Sequence, residues 1–317
     1  MSAELQVSDY RPGDERHILS LFRQSFGREL STQFWTWRFK ENPAGFGVID
    51  LCWDDDVLAG HYAVSPVAMR INGQEWLTAL SGTTMTHPDY RGQGLFPKLG
   101  RSTYARMTQA GMGMVWGFPN NLSHRGIVRD LKWVDIYELP MLRLTLPSRR
   151  PLPAPHNIVA LSEFDARFDR LWEQVRDDYR IITRRDQEHL QWRYVKNPSQ
   201  SYQILACTDA NSIAGYAVFK QYGEEMQIVD ILTRAPTDIG VSLVSCVAQV
   251  ALDQELSSIS LWLNVSHPLH RALEKLGFCN GVPITYFGGL SLQADLQEAL
   301  VYDFHNWYLT MGDSDVF

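Results

Sequence analysis

The sequence predicts a mixed α/β protein made of two domains, each a twisted sheet flanked by helices. Three observations support this prediction: a unit of sequence that occurs twice, a strand followed by a glycine-bearing turn and a long helix, and a proline-rich stretch between the two copies. The 317 residues are enough for two domains of ordinary size. We place the domains at residues 1–146 and 156–317 and the linker at residues 147–155.

The repeat is carried by uncommon residues at a constant spacing. The pattern Trp-Arg-aromatic-x-x-Asn-Pro begins at Trp37 and again at Trp192, 155 residues later. The apolar stretches around Gly60 and Gly215 are similar to each other and have the same offset of 155 residues. Because tryptophan and Asn-Pro rarely recur at one spacing by chance, we infer two copies of one structural unit.

The first copy is predicted to begin with a short strand and two helices and to continue as a meander of strands. Alternating apolar residues and turn signals place these elements at residues 4–7, 14–25, 31–40, 48–53, 58–64 and 67–71. Asn72-Gly73 is a typical hairpin turn. A strand near residues 79–85 and a helix over residues 95–107 complete this copy.

The second copy is predicted to follow the same order. Its elements are expected at residues 158–161, 165–177, 186–195, 202–207, 215–221, 227–233 and 239–252, with a last strand near residues 306–310. The linker contains four prolines in nine residues, a composition typical of a stiff extended spacer.

Composition limits the class of protein. The net charge of −7 argues against nucleic acid as a partner and is compatible with a cationic amine substrate. No run of about 18 apolar residues suggests a transmembrane helix, and the first residues do not resemble a secretory signal, so we expect a cytoplasmic protein with no membrane partner. The sequence leaves the oligomeric state open.

The cysteines point to neither disulfides nor a metal site. Cys52, Cys207, Cys246 and Cys279 are widely spaced and lie in apolar surroundings. We therefore expect reduced, packed cysteines and no bound metal.

The most informative stretch is the run Thr-Met-Thr-His-Pro-Asp-Tyr-Arg-Gly-Gln-Gly-Leu-Phe at residues 84–96. It indicates a strand, a sharp turn and the start of a helix. Glycines before a helix allow backbone N–H groups to approach an anion, and the helix dipole adds positive potential there. The glycines and the helix start therefore predict a pyrophosphate-binding turn. Its spacing differs from the eight-residue phosphate loop that ends in Gly-Lys-Ser/Thr and from the three-glycine dinucleotide fingerprint.

This run resembles motif A, Arg/Gln-x-x-Gly-x-Gly/Ala, of the GCN5-related N-acetyltransferase (GNAT) superfamily. The later sequence Val-Trp-Gly-Phe-Pro-Asn at residues 115–120 looks like the next strand of that family and its asparagine. The whole chain resembles a tandem GNAT protein, which implies mostly antiparallel sheets with one parallel, splayed pair of strands. Phe96 replaces the last small residue of the motif, and Val128 stands where many relatives have a tyrosine general acid.

The second copy lacks the donor-binding motif. Residues 233–240 read Thr-Arg-Ala-Pro-Thr-Asp-Ile-Gly, without the glycine spacing, and Asp238 would repel a pyrophosphate. We therefore expect a degenerate second domain and one coenzyme A (CoA) site per chain, in the first domain.

The resemblance implies a set of residues for binding acetyl-CoA or another acyl-CoA. The backbone of Met85 and Thr86 would pair with the pantetheine arm, and Asn120 and Ser123 would contact it. The amides that would bind the pyrophosphate are those of Arg91, Gly92, Gln93, Gly94, Leu95 and Phe96. Asn120 has an alternative interpretation as an ordinary cap of the helix that contains Ser123.

Three residues are candidates for catalysis. His61 could be a base or a water relay, and Tyr137 could give a proton to the leaving thiolate. By resemblance to a tandem member of the superfamily whose terminal carboxylate takes part in catalysis, Phe317 is the third candidate. The alternatives are an ordinary hydrogen-bonded histidine, a half-buried strand aromatic and a solvated acidic tail.

We therefore predict an acetyl-CoA-dependent N-acyltransferase acting on a small amine, such as an amino sugar or an amino metabolite. Transfer is expected to be direct, because no cysteine lies near the glycine turn in sequence and no nucleophile elbow is visible. Two alternatives are an acyltransferase with a carrier-protein donor and a non-catalytic acyl-CoA-binding regulatory or scaffold protein.

Overall fold

A computed structural model describes residues 5–153, 157–209 and 211–317. Residue 4 of the first predicted strand, residues 154 and 155 of the predicted linker, and residue 156 of the predicted second domain lie outside the described residues.

The described part of the first half contains six strands and four helices. The strands are β1 (Gln6–Asp9), β2 (Val48–Asp54), β3 (Val57–Ile71), β4 (Gln74–Thr86), β5 (Met114–Gly117) and β6 (Val134–Thr145), and the helices are α1 (Glu15–Phe26), α2 (Thr32–Phe39), α3 (Leu95–Gln109) and α4 (Asn121–Leu131). A 3₁₀ turn, Pro88–Tyr90, lies between β4 and α3.

The described part of the second half repeats this order, with additional elements. The strands are β7 (Ile158–Leu161), β8 (Ile181–Thr183), β9 (Gln203–Asp209), β10 (Ser212–Tyr222), β11 (Glu225–Thr233), β12 (Ser258–Leu261), β13 (Cys279–Ser291) and β14 (Trp307–Tyr308), and the helices are α5 (Ala166–Val175), α6 (Gln187–Leu190), α7 (Val241–Asp253), α8 (Pro268–Lys275) and α9 (Glu298–Val301). Short π-helical turns, Gln191–Val195 and Pro236–Gly240, and 3₁₀ turns, Phe304–Asn306 and Met311–Asp313, complete it.

The residues form two compact units, and each unit takes chain from both halves. The first unit contains the described residues up to Ala68, Trp76–Tyr137 and Tyr286–Tyr302. The second contains Met69–Glu75, Glu138–Thr285 and Asp303–Phe317. These units are defined by packing, whereas the division into residues 1–146, 147–155 and 156–317 rests on the repeated sequence and stays a prediction.

The first unit is built on a mostly antiparallel sheet with one parallel pair. Antiparallel ladders join β1 to β2, β2 to β3 and β5 to β13. The parallel pair, β4 and β5, is matched only at Ala79↔Val115 and Leu80↔Trp116. Within the described residues the pairing ends there although β4 runs on to Thr86, so the predicted splayed pair is confirmed.

The two faces of this sheet are covered by different helices. Because side chains alternate along a strand, Tyr62 of β3 belongs to the core under α3 and α4, whereas its neighbour Ala63 belongs to the core under α1 and α2. The α1 and α2 face also buries Trp35, Phe39 and Met85.

The second unit has the same arrangement. Antiparallel ladders join β6 to β12, β10 to β11, β9 to β10 and β7 to β9. The parallel pair, β11 and β12, is matched from Glu225↔Ser258 to Ile228↔Leu261. The mixed α/β fold with two GNAT-like units, predicted from the sequence, is therefore confirmed.

Some predicted elements were wrong in detail. The two strands expected at residues 58–64 and 67–71 are one strand, β3, because Pro66 does not interrupt its extended backbone. The Pro66 carbonyl oxygen accepts a hydrogen bond from Asn42 Nδ2 at 2.9 Å. The last predicted strand is shortened to β14, and β8 and β13 were not predicted.

Candidate active site

The turn between β4 and α3 is fixed by local hydrogen bonds. The Asp89 backbone N–H donates to His87 Nδ1 at 3.3 Å, which starts the 3₁₀ turn. The Tyr90 hydroxyl donates to Asp54 Oδ2 at 2.5 Å and so ties the turn to the end of β2.

Gly92 and Gly94 give this turn the geometry of an anion site. Their φ angles are +79° and +74°, and a Cβ at either position would meet no atom within 4 Å, so backbone conformation rather than space requires glycine. Within the described residues, the N–H groups of Gly92, Gln93 and Gly94 donate to no protein atom. We call these three amides the glycine nest; they lie immediately before α3, where the helix dipole favours an anion.

Basic residues flank the glycine nest, and the exposed acidic Asp89 lies three residues before it. The first turn of α3 has no acidic residue. Arg91 is exposed, and its guanidinium has no bonded partner among the residues described, which leaves it able to contact a phosphate. Lys98, one turn into α3, donates to the Leu5 carbonyl oxygen at 3.1 Å.

The other predicted donor-binding residues of β4 and α3 mostly face the protein. Met85 and Leu95 have buried side chains, so only their backbone groups are available to a ligand. The carbonyl oxygen of Thr86 accepts a long hydrogen bond, 3.5 Å, from Ser25 Oγ.

Phe96, which departs from the family motif, is accommodated by a glycine on the neighbouring helix. A Cβ built on Gly126 of α4 would lie 3.3 Å from the Phe96 ring. The ring also packs on Tyr62, with 6.0 Å between the ring centroids. Gly126 on α4 thus leaves room for the Phe96 ring, which stands where the motif has a small residue.

Asn120 is a helix cap, the alternative that the sequence left open. Its Oδ1 accepts from the backbone N–H groups of Leu122 and Ser123, each at 3.0 Å, and Ser123 Oγ donates to it at 3.2 Å. Asn120 Nδ2 has no acceptor among the described residues, so it can still donate to a ligand. Contact of Asn120 and Ser123 with a pantetheine arm stays a prediction.

His61 is a buried, neutral histidine. Its Nδ1 lies 2.7 Å from the Thr83 carbonyl oxygen, which can only accept, so Nδ1 carries the proton and Nε2 has a lone pair. Nε2 is buried and has no partner within the described chain. Burial lowers the pKa of His61 to about 4.

The partner of His61 is in an unusual conformation. Thr83 has a φ of +60°, a rare and strained value for a β-branched residue. It lies on β4 beyond the last residue that pairs with β5. The strain therefore turns a backbone carbonyl toward His61 beside the gap between the splayed strands.

The other two catalytic candidates are placed differently. Tyr137 lies half-buried on β6 in the first unit. Phe317 belongs to the second unit, where its backbone oxygen accepts from Arg193 Nη2 at 2.5 Å and its ring contacts Trp262. The structure does not place all three in one unit, and their catalytic roles stay predictions.

The sequence reasoning missed a buried chain of hydrogen bonds in the first unit. The Tyr62 hydroxyl lies 2.7 Å from that of Tyr104 and 3.2 Å from Ser81 Oγ. Trp133 Nε1 donates to the Tyr104 hydroxyl at 2.8 Å. These four residues are spread over more than 70 positions of sequence, and no local pattern indicates that they meet.

The corresponding turn of the second unit lacks the glycine nest. Gly240 has an ordinary helical φ of −62°, and a Cβ there would lie 2.9 Å from Leu269, so this glycine serves the packing of α7 on α8. Asp238 is exposed just before α7. These features agree with the expectation of a degenerate second copy.

In the second unit, residues near the end of the chain contact both β11 and the residue that follows β12. Asn264, which follows β12, donates from Nδ2 to the carbonyl oxygens of Phe304 at 2.7 Å and Trp307 at 3.1 Å. Thr310 Oγ1 donates to Asp230 of β11 at 3.0 Å. Residues 304–317, here called the C-terminal segment, therefore cover the place where the parallel pair of this unit ends.

Two buried arginines hold the C-terminal segment. Arg185 Nε lies 3.1 Å from Asp230 Oδ1, and its Nη2 lies 2.7 Å from Asp313 Oδ2. Arg193 donates to the carbonyl oxygens of Gly312 and Ser314 at 3.1 and 3.0 Å. Asp313 and Ser314 are buried, so this part of the segment is packed rather than solvated.

Two units that each contain one parallel, splayed strand pair, with a glycine nest in the first, define a tandem GNAT fold. Residues 6–133 match the family model of the acetyltransferase (GNAT) domain. None of the curated proteins matches the chain.

Solved structures share this fold at low sequence identity. A GCN5-related N-acetyltransferase from Anabaena variabilis has a TM-score of 0.71 at 13% identity, over 90% of this chain and 72% of that one. Eis1 from Mycobacterium abscessus has a TM-score of 0.64 at 11% identity, over 95% and 76%. N-myristoyltransferase from Saccharomyces cerevisiae with bound myristoyl-CoA has a TM-score of 0.60 at 10% identity, over 91% and 82%.

Two features are absent from the part of the chain that the structure describes. No helix there is long and apolar enough to cross a membrane. No group of three or more His, Cys, Asp or Glu side chains there could hold a metal ion.

Proposed function

We propose that this protein is an acyl-CoA-dependent N-acyltransferase that binds one acetyl-CoA in its first unit and acylates a small amine. The observation that carries the proposal is the glycine nest, three unpartnered amides at the start of α3 beside the end of β4. Unpartnered backbone donors at a helix N-terminus are suited to a pyrophosphate.

The residues present fit an acyl-CoA substrate. The glycine nest and Arg91 would bind the phosphates, the backbone of Met85 and Thr86 would pair with the pantetheine arm, and Asn120 Nδ2 would donate to it. The thioester supplies an acyl group that an amine can attack. The second unit, with Asp238 at the equivalent turn and the C-terminal segment across its parallel pair, is proposed to bind no CoA.

The acceptor is proposed to be a small cationic amine, such as an amino sugar or an amino metabolite. The net charge of −7 favours approach of a cation. Nε2 of His61 is buried, so it would accept a hydrogen bond from an internal water molecule that relays the amine proton. Because burial lowers its pKa to about 4, His61 is better suited to accept a hydrogen bond than to keep a proton. Tyr137 and Phe317 stay candidates for proton transfer.

The state of the cysteines favours direct transfer of the acyl group to the amine. The thiol of Cys52 is buried in the first unit, and its pKa is raised by burial, which makes it a poor nucleophile. The amine nitrogen would attack the thioester carbonyl, the C–S bond would break with its electron pair on sulfur, and the amine proton would leave through solvent or His61. Ping-pong kinetics or an acylated cysteine would contradict this step.

The test is turnover of acetyl-CoA with a panel of amines, with the product identified by mass spectrometry, together with calorimetry of CoA binding. We expect one CoA site per chain and loss of binding in Gly94→Glu, which places a charge and a side chain in the glycine nest. Two sites, or unchanged affinity in Gly94→Glu, would contradict the proposed site.

A second candidate is favoured by one observation, the apolar Val128 in place of the usual acid. Binding of acyl-CoA with no turnover on any amine would support a non-catalytic regulator or scaffold. Turnover only with an acylated carrier protein would indicate a carrier-protein donor.

A further inference from the structure

We propose that Ser81 is the hydrogen-bond donor to the leaving sulfur in the first unit, held in place by the chain Trp133–Tyr104–Tyr62. This inference rests on the proposed acyl transfer. It assigns a catalytic group to a site where Val128 cannot act as an acid.

The direction of the hydrogen bonds follows from Trp133. An indole N–H can only donate, so the Tyr104 hydroxyl oxygen accepts from Trp133 at 2.8 Å. The acceptor available to the Tyr104 hydrogen among the described residues is the Tyr62 hydroxyl, 2.7 Å away. Tyr62 in turn donates to Ser81 Oγ at 3.2 Å. In this arrangement the hydroxyl hydrogens of Tyr104 and Tyr62 are both donated within the protein. The Ser81 hydroxyl hydrogen can then be donated to a ligand.

The reverse direction is disfavoured by burial. If Ser81 donated to Tyr62 and Tyr62 to Tyr104, the Tyr104 hydrogen would have no acceptor. Tyr62, Tyr104 and Trp133 are all buried, and a buried donor without an acceptor is unfavourable.

Ser81 is placed where the strands separate. It follows Leu80, the last residue of β4 that pairs with β5. Its bond to Tyr62 puts its hydroxyl on the side of the sheet that α3 and α4 cover, the side on which α3 begins at the glycine nest. Ser81 is only half-buried, and the facing residue of β5 is Gly117, where a Cβ would lie 3.3 Å from the Ser81 carbonyl oxygen. No β5 side chain therefore covers this position.

The role of Ser81 is stabilisation rather than proton transfer. As the C–S bond breaks, its electron pair passes to sulfur, and the Ser81 hydroxyl donates a charge-assisted hydrogen bond to it. If Ser81 lost its proton and received another along these hydrogen bonds, a buried tyrosinate would remain. Such a tyrosinate is unfavourable because burial raises the pKa of both Tyr62 and Tyr104. Ser81 therefore keeps its proton, and the thiolate receives the proton released by the amine.

The test uses the full chain with Ser81→Ala and Ser81→Thr, and Ser8→Ala on β1 as a control for loss of a strand hydroxyl. We expect Ser81→Ala to lower kcat about tenfold or more, with CoA affinity unchanged, and Ser81→Thr to retain most activity. A readout independent of turnover is the ultraviolet absorbance of the CoA thiolate. In Ser81→Ala the acid dissociation constant of the bound CoA thiol should fall about tenfold, which is one pKa unit.

The outcomes separate this inference from the proposed function. Identical thiol titrations in the wild type and Ser81→Ala, with CoA bound to both, would overturn the role of Ser81. A shifted thiol titration without turnover on any amine would support Ser81 while contradicting the acyltransferase. Failure of the wild type to bind CoA would contradict both.

Discussion

Gly94→Ala tests whether the backbone of the glycine nest binds the donor. Gly94 has a φ of +74°, and its new Cβ would meet no atom within 4 Å, so the substitution introduces no clash. An L-residue in this left-handed region costs about 1–2 kcal/mol, which the chain can avoid by turning the peptide and moving the amide away from the anion. A hydrogen bond to a charged group contributes about 1.5–3 kcal/mol, so we expect the Kd for CoA to rise about ten- to a hundredfold.

Gly111→Ala is the matched control. Gly111 has a φ of +71°, and its Cβ would also meet nothing within 4 Å, but it lies beyond the other end of α3, a helix of 15 residues and therefore about 22 Å long. Both variants should lose about the same unfolding free energy in urea titrations. Only Gly94→Ala should weaken CoA binding by isothermal calorimetry.

Equal CoA affinities in the two variants, with equal losses of stability, would refute the reasoning. That result would mean that the amides of this turn do not contact the ligand. Weakened binding in both variants would instead indicate a general loss of folded protein.

The remaining predictions concern stability. His61 has a pKa of about 4 when folded against about 6.5 when unfolded, so between these values the unfolded state binds the extra proton, and His61 should account for a loss of about 2 kcal/mol of stability between pH 7 and pH 5. His61→Gln should make that slope less steep in urea unfolding, whereas His189 and His267, whose pKa values burial also lowers, keep contributing to it. An unchanged slope would exclude His61 as a titrating group. Asn120→Ala removes a cap and should cost about 1 kcal/mol in thermal unfolding, whereas Asn120→Asp should retain stability. Asp313→Asn leaves the buried Arg185 with one carboxylate and should cost about 3–5 kcal/mol, whereas Asp238→Asn at the surface should change stability by less than about 0.5 kcal/mol; equal effects would contradict the importance of the buried pair.

Local patterns were enough to predict the repeat and the turn before α3. The repeat is visible because the same short pattern stands at Trp37 and at Trp192. The conformations of the glycines of the nest follow from steric rules that act within a few residues. A local rule also explains the error at β3, because proline signals a break although its φ is compatible with an extended strand.

The interior of the candidate site could not be predicted in the same way. The contact of His61 with Thr83 depends on a strained carbonyl 22 residues away, and the contacts of Tyr62 with Ser81 and Tyr104 depend on how β3, β4 and α3 pack. Such contacts are set by tertiary packing, which overrides local preference. The sequence could place His61 on a strand but could not show that its Nε2 is buried without a partner.

The place of β13 in the first unit has a consequence for synthesis on the ribosome. Gly288 to Ser291 pair with Gly117 to Met114. One edge of β5 therefore stays unpaired until residues some 170 positions later have been synthesised. At about 5–20 residues per second, that delay is roughly ten to thirty seconds. During this time a strand whose residues all end up buried has an open edge, the kind of surface that invites aggregation. A fragment ending at residue 146 would keep that edge open indefinitely, so we expect such a fragment to aggregate more readily than the full chain.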